Sequence, residues 1–137
     1  MLVFNVKIAN KYKIVKNHSD PRHLRRIKNM QALFAFDSGN REPSTPDSAD
    51  IISHIEEINT SIRQKAPKWP LEKINKVDLA ILRCAVWELL FQQKTPPKVI
   101  IDEAVELGKE FGTETSSSFI NGCLGSIITT DNEPTTT

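Results

Sequence analysis

Apolar side chains recur every three or four positions along most of the chain, the spacing that places them on one face of an α-helix. In the segment 21–36 the residues sharing this face are Leu24, Ile27, Met30 and Phe34. Asp20 stands where an N-cap is expected, and Pro21 occupies the favoured first helical position. The pattern therefore predicts a first helix that begins at Pro21 and ends at Ser38 and Gly39.

A second helix is predicted over residues 49–66, after a linker rich in proline, serine and charge at 40–48. Asp47 or Ser48 is its expected cap, and Pro67 and Pro70 end it. Its apolar face consists of Ile51, Ile55, Ile58 and Ile62. A short helical turn around residues 71–74 leads onward.

The segment 77–94 is predicted to form the central, buried helix. Apolar residues fill 12 of the 15 positions from Val77 to Phe91, and a helix that is apolar on all sides belongs in a core. Pro96 and Pro97 break the chain before another helix that runs to Gly112, and a last helix begins near Glu114. No sheet is predicted, so the expected fold is all-α.

Length and charge suggest one domain with polar ends. We expect a basic arm at 1–20, a helical domain at 21–130 and a disordered tail at 131–137. Residues 1–36 hold eight basic side chains and one acidic, a net charge of +7, whereas the remaining residues carry −6. This split predicts a polyanionic partner for one end and a basic partner for the other. Lysines scattered through the first residues argue against a secretory signal, so we expect a cytoplasmic protein.

Motifs for catalysis are missing from the sequence. It contains no phosphate-cradling glycine loop, no HExxH pair and no GxSxG elbow, so we predict a non-enzymatic protein without a cofactor. His18, His23 and His54 are far apart in the sequence, and their polar neighbours predict exposed positions, so we expect no metal site. Cys84 and Cys123 have no CxxC spacing and are predicted to be small buried hydrophobes.

Two groups of residues are candidates for RNA binding. On the first helix Arg22, Arg25 and Lys28 share the face opposite the apolar stripe, and Arg26 flanks that stripe. On the last helix Phe119 lies at the rim of the apolar face, beside Asn121, where it can stack on an unpaired base. The alternatives are an ordinary solvated face for the cations and a core-sealing role for Phe119.

Three charged residues interrupt the central helix and must be paired or reach the surface: Asp78, Arg83 and Glu88. Structural salt bridges are one interpretation. A surface groove for a protein partner is the other.

Three segments carry a family resemblance. VDLAILRCAVWELLFQQKTPPKVIIDEAVELGKEFG at 77–112 and SFINGCLGSI at 118–127 resemble the signature of the NusB family of transcription antitermination factors. LRRIKNMQALFAFD at 24–37 is similar to the arginine-rich first helix of that family. The resemblance covers residues 24–37 and 71–128, while the linker and second helix fit by length and periodicity.

The resemblance implies about six helices arranged as two small helical bundles. It also implies binding of boxA-type single-stranded RNA in ribosomal RNA leaders, together with the small-subunit ribosomal protein NusE, on the RNA polymerase elongation complex. In the family RNA lies against the first helix and the start of the last helix. The corresponding residues in this sequence are Arg25, Arg26, Lys28, Phe119 and Asn121. The protein partner packs on the helices between 76 and 111, which makes Asp78 and Arg83 candidate contacts.

The sequence departs from the family pattern at two places. Arg25, Arg26 and Ile27 stand where the family usually has Ala-Arg-Glu, and Ser118 replaces a frequent lysine. One basic contact is thus gained on the first helix and one is lost on the last. Two alternatives remain: a helical interaction module that dimerises or docks on a protein without binding RNA, and an RNA-recognition domain related to those of ribosomal RNA methyltransferases.

Overall fold

A computed structural model describes residues 20–40, 42–65 and 70–132, with the side chains of 130–132 excepted. The predicted basic arm falls outside these residues apart from Asp20, as does the predicted tail beyond residue 132. Helix reaches Asn132, two positions into the segment expected to be disordered.

Six α-helices make up this part of the chain, and it contains no strand, so the all-α prediction is confirmed. They are α1 (Pro21–Asp37), α2 (Pro46–Ser53), α3 (Ile55–Lys65), α4 (Lys76–Trp87), α5 (Pro97–Phe111) and α6 (Ser116–Asn132). A 3₁₀ turn at Leu71–Lys73 precedes α4. A π-helical turn at Glu88–Gln92 continues α4 beyond Trp87.

The N-cap of α1 agrees with the prediction from the sequence, and the N-cap of α2 does not. Asp20 caps α1 as predicted, because its carboxylate accepts a hydrogen bond from the Arg22 backbone N–H at 3.0 Å. The expected cap of α2 was wrong. Thr45 is the N-cap, and it forms a reciprocal capping box with Ser48, while Asp47 lies in the first turn.

The single helix predicted over 49–66 is divided into α2 and α3 at His54. The His54 backbone leaves the helical path there, with φ −107° and ψ 18°. Its ring stacks on Phe91 of the π-helical turn, with ring centroids 4.0 Å apart. The sequence around His54 contains no proline or glycine that would predict this break. The break coincides instead with the contact to Phe91, which is 37 positions away in the chain.

Helix α4 is the centre of the packing, as its all-round apolar character predicted. Helices α1 and α2 pack on each other and on α4, and α5 and α6 likewise pack on each other and on α4. All residues from Asp78 to Trp87 are buried. Cys84 and Cys123 are free thiols inside this core, which confirms the prediction made for them. Burial raises the pKa of the Cys123 thiol to about 11.

None of the described helices is both long and apolar enough to cross a lipid bilayer.

Candidate nucleic-acid interface

The cations of α1 are not equivalent. The Arg22 side chain is 83% exposed and Lys28 is also exposed, so both are accessible to a phosphate. Arg25 is 56% exposed but already engaged, and Arg26 is largely buried. The face predicted from the helical wheel is therefore accessible at Arg22, Arg25 and Lys28, while Arg26 turns inward.

Arg26 forms a bidentate ion pair with Glu88 at the start of the π-helical turn. Its Nε and Nη2 donate to the two carboxylate oxygens at 3.0 and 2.9 Å. A second carboxylate, Glu103 of α5, lies 4.0 Å from Nη1. The expectation of Arg26 as an RNA contact needs correction on this geometry, because its donors are committed to carboxylates inside the fold.

Arg25 forms a bidentate pair with Asp47 in the first turn of α2. Its Nη2 donates to Oδ1 at 2.8 Å, and its Nε donates to Oδ2. Asn29 also donates to Asp47, at 2.9 Å. The hydrogen bonds from Arg25 are the main cause of the lowered pKa of Asp47. The guanidinium is thereby held in one orientation while more than half of its side chain remains open to solvent.

These pairs surround a cavity of about 150 Å³ between α1 and the end of α4. Its charged lining residues are Arg22, Arg25, Arg26, Asp47, Glu88 and Lys94. Four of these side chains are cationic and two are anionic. Sequence reasoning missed Lys94, because nothing local to QQKTPP indicates that this lysine lies opposite the arginines of α1.

Phe119 and Asn121 occupy the first turns of α6. Asn121 is exposed, and Phe119 is partly buried against the core, which is the rim position expected for it. Phe119 also lines an open groove of about 460 Å³. The other residues of this groove are Lys73, Ile74, Asn75, Asp78, Thr113, Thr115 and Ser118.

Asp78 lies in the first turn of α4 and contributes to the same groove. It is only 5% exposed, and its Oδ1 has no hydrogen-bond partner in the described part of the chain. Burial raises the pKa of Asp78, partly offset by a hydrogen bond from Ser116. The groove is thus lined by both a carboxylate with an unsatisfied acceptor and the Phe119 ring.

Arg83 does not reach this groove. Its Nη1 donates to Asp37 at the end of α1 at 2.9 Å, and its Nε donates to Asn59 of α3 at 3.0 Å. The side chain is buried, so Arg83 is not available as a contact for a protein partner, and we correct that expectation. Its role is the structural salt bridge that was the alternative interpretation.

The histidine prediction also changes with the structure. His23 is buried, contrary to expectation, because α5 brings Glu103 to 3.2 Å from its Nδ1 and Glu110 to 3.6 Å from its Nε2. His54 is about one third exposed. In residues 20–40, 42–65 and 70–132, no three His, Cys, Asp or Glu side chains are grouped to hold a metal ion.

The two candidate surfaces lie at opposite ends of α4. Asp78 marks the groove and Glu88 marks the cavity, and at 1.5 Å rise per residue they are about 15 Å apart along the helix axis. The structure therefore brings Arg22 and Arg25 together, and separately brings Asp78 and Phe119 together. Lys28 and Asn121 line neither the cavity nor the groove.

Comparison with known proteins gives consistent matches. Residues 48–129 match the model of the NusB family. The chain is 38% identical over 130 residues to the transcription antitermination protein NusB of Chloroflexus aggregans, covering 79% of this chain and 87% of the relative. It is also 38% identical over 122 residues to the NusB of Geobacillus kaustophilus, covering 77% and 94%. A solved structure of T. maritima NusB superposes with a TM-score of 0.69 at 30% identity, covering 79% and 90%.

Proposed function

The chain belongs to the NusB family, and from that membership we propose that it is a transcription antitermination factor that binds single-stranded RNA. Its target in this proposal is boxA-type RNA in ribosomal RNA leaders. The relatives named above are transcription antitermination proteins, and their likeness extends over most of both chains. In this proposal the protein acts by binding and not by catalysis, and it acts on the RNA polymerase elongation complex in the cytoplasm.

The single observation that carries RNA binding is the position of Phe119 at the start of α6, where its ring is partly buried and lines the groove. An aromatic ring at the rim of a groove can stack on an unpaired base. Asn121 is exposed two positions further along α6 and would offer its amide to the RNA outside the groove. The cations Arg22, Arg25 and Lys28 would add contacts to phosphates, which position a strand without reading its sequence.

A basic partner of the NusE type fits the other half of the proposal. Asp78 lines the groove beside Phe119, and its Oδ1 lacks a donor in the described residues. A cationic side chain of the partner bound at this groove would favour the charged form of Asp78. Because Asp78 and Phe119 share one groove, partner and RNA would meet at adjacent positions, so the binding of one should strengthen the binding of the other.

The proposal is tested by titrating the full chain with a fluorescently labelled boxA-like single-stranded RNA. The titration is done with and without a saturating NusE-type ribosomal protein. We expect RNA binding alone and tighter binding with the partner, with a coupling free energy of about 1 to 3 kcal/mol. A scrambled RNA of equal length and composition controls for unspecific attraction.

RNA affinity that stays unchanged at saturating partner would contradict the coupled mechanism. Absence of any RNA binding, together with dimerisation or tight binding to a protein, would favour the interaction-module alternative.

A further inference from the structure

Among the described residues that line the cavity, Lys94 is the one cation that does not belong to α1. It lies in the loop between the π-helical turn and α5, and its side chain is exposed. Within the described residues it has no ion pair, although it is near enough to Asp47 to lower the pKa of that carboxyl. An uncommitted ammonium therefore faces the arginines of α1 across a small open space.

The backbone on either side of Lys94 constrains the place where this side chain leaves the loop. Gln93 adopts a left-handed conformation with φ 54° and ψ 36°, and its N–H donates to the Glu88 carbonyl at 2.9 Å. A non-glycine residue in this region is uncommon, and π-helical turns and backbone strain concentrate at functional sites. Pro96 and Pro97 restrict the backbone on the other side of the loop, while the Lys94 side chain itself stays mobile.

The charges of the described residues around the cavity do not cancel. Asp47 balances Arg25, and Glu88 balances Arg26. The charges left over belong to Arg22 and Lys94. Arg22 has only a surface contact of 3.5 Å to Asp20, and exposed pairs of this kind contribute little. An excess of two positive charges therefore remains beside guanidinium groups whose orientation is already fixed.

The volume indicates what could enter. A cavity of about 150 Å³ is well above the roughly 10 to 15 Å³ that a single water molecule needs, so it has room for one phosphate group. Small-molecule sites are usually larger, roughly 300 to 1,000 Å³, and mostly apolar. Eight of the ten described lining residues here carry a charged or amide group, and the cations outnumber the anions, so an anion fits better than an apolar ligand.

We propose that this cavity is a subsite for one phosphodiester of the bound RNA, with Lys94 and Arg22 as its two mobile cations and Arg25 as its oriented donor. The inference rests on the proposed function, since it supplies a backbone contact at the end of α4 opposite Phe119. In this proposal Lys94 contacts an RNA phosphate from the loop before α5, in addition to the cations of α1.

The test compares Lys94→Gln with Lys98→Gln in the full chain. Lys98 is a matched control because it also is an exposed lysine, 86% accessible, and it lies outside the cavity on α5. Both variants lose one positive charge, so any general effect of net charge is equal. Thermal melting followed by circular dichroism establishes that both remain folded.

RNA affinity is measured across a range of salt concentrations with the boxA-like strand. We expect Lys94→Gln to bind about two- to fivefold more weakly at 0.15 M salt, as for an exposed charge pair. The slope of log affinity against log salt should fall by about 0.7, the value for one lost single-strand phosphate contact. Lys98→Gln should match the wild type in both quantities.

A scan with single neutral methylphosphonate linkages then locates the phosphate. One position should weaken the wild type but not Lys94→Gln, because the contact is already absent there. If both lysine variants weaken binding equally, or if neither does, the subsite is refuted while the proposed function stands. If the wild type binds no single-stranded RNA, both proposals fail together.

Discussion

Arg26 and Glu88 hold the side of α1 against the end of α4 through two parallel hydrogen bonds of 3.0 and 2.9 Å, although 62 positions separate them in sequence. Both side chains are largely buried. An arginine in this buried environment stabilises the fold. Its neighbour Arg25 is more than half exposed, so it can stabilise the fold and also contact RNA. Two adjacent arginines of α1 therefore have different roles: Arg26 is structural, and Arg25 remains a candidate for RNA binding.

Replacing Arg26 with Ala should lower the free energy of unfolding by about 3 kcal/mol, because Glu88 is left as a poorly solvated and unpaired carboxylate. Arg25→Ala breaks a more exposed pair and should cost about 1 kcal/mol or less. Urea unfolding followed by circular dichroism measures both. Adding Glu88→Gln to Arg26→Ala should recover part of the loss. Equal destabilisation by the two arginine variants would contradict the different burial of these residues.

Replacing Phe119 with Ala should weaken RNA binding by about 1 to 3 kcal/mol if a base stacks on the ring. The salt slope should stay unchanged, because the ring carries no charge. Arg22→Gln is the complement, since it should lower the slope by about 0.7. A lower melting temperature for Phe119→Ala with intact RNA affinity would mean that Phe119 only seals the core edge, and that α6 is not part of the RNA surface.

Replacing Asp78 with Asn should stabilise the protein at pH 7. Burial raises the pKa of Asp78 in the folded state, so folding favours the neutral acid. The stability associated with this group is present below the unfolded pKa of about 3.9 and is lost as pH rises through the folded pKa. Asparagine removes that loss because it has no charge to bury.

Unfolding measured at pH 7 and at pH 3 tests the sign: the advantage of Asp78→Asn should be present at the first and nearly absent at the second. A destabilised variant at pH 7 would show that the charged form is favoured in the fold. If Asp78 also contacts a basic partner, the same variant should bind that partner more weakly, a trade of stability for function.

Replacing Gly108 with Ala should destabilise the contact between α5 and α6. A Cβ atom at Gly108 would lie 2.9 Å from Cδ1 of Ile120, which is fully buried. Overpacking costs about 1 to 3 kcal/mol, and the better helix propensity of alanine returns up to about 1.

Gly125→Ala is the matched control, because a Cβ atom there meets nothing within 4 Å. This variant should gain about 0.5 to 1 kcal/mol. Thermal unfolding of the two variants should therefore shift in opposite directions, and a shared direction would refute the proposed close approach at Gly108.

The helices were predictable where the sequence acts locally. Asp20 and Pro21 set the start of α1 by chemistry confined to one turn, and the apolar run through Val86 identified α4 as central. The cap of α2 was misassigned because Asp47 is a good cap in isolation. In the fold its carboxylate is bound by Arg25 and Asn29 of another helix, and Thr45 forms the cap.

The candidate site was predictable in its residue types but not in its pairings. A helical wheel assigns Arg26 to the edge of the apolar face, yet it cannot say that Glu88 will lie opposite. His23 appeared exposed for the same reason, since the carboxylates of Glu103 and Glu110 approach it from α5. The position of Lys94 depends on the left-handed backbone conformation of Gln93, which glutamine rarely adopts and which the sequence therefore does not predict.

Trp87 forms part of the cavity wall, and its Nε1–H donates to Asp50 at 2.7 Å. The chain has one other tryptophan, Trp69, so a Trp69→Phe variant would leave a single indole whose emission depends on the field of the surrounding charges. An anion arriving between Arg22 and Lys94 changes that field. Among the described residues, the groove at the far end of α4 has no tryptophan in its lining. One unlabelled protein therefore contains an optical reporter that responds at the cavity and is silent at the groove.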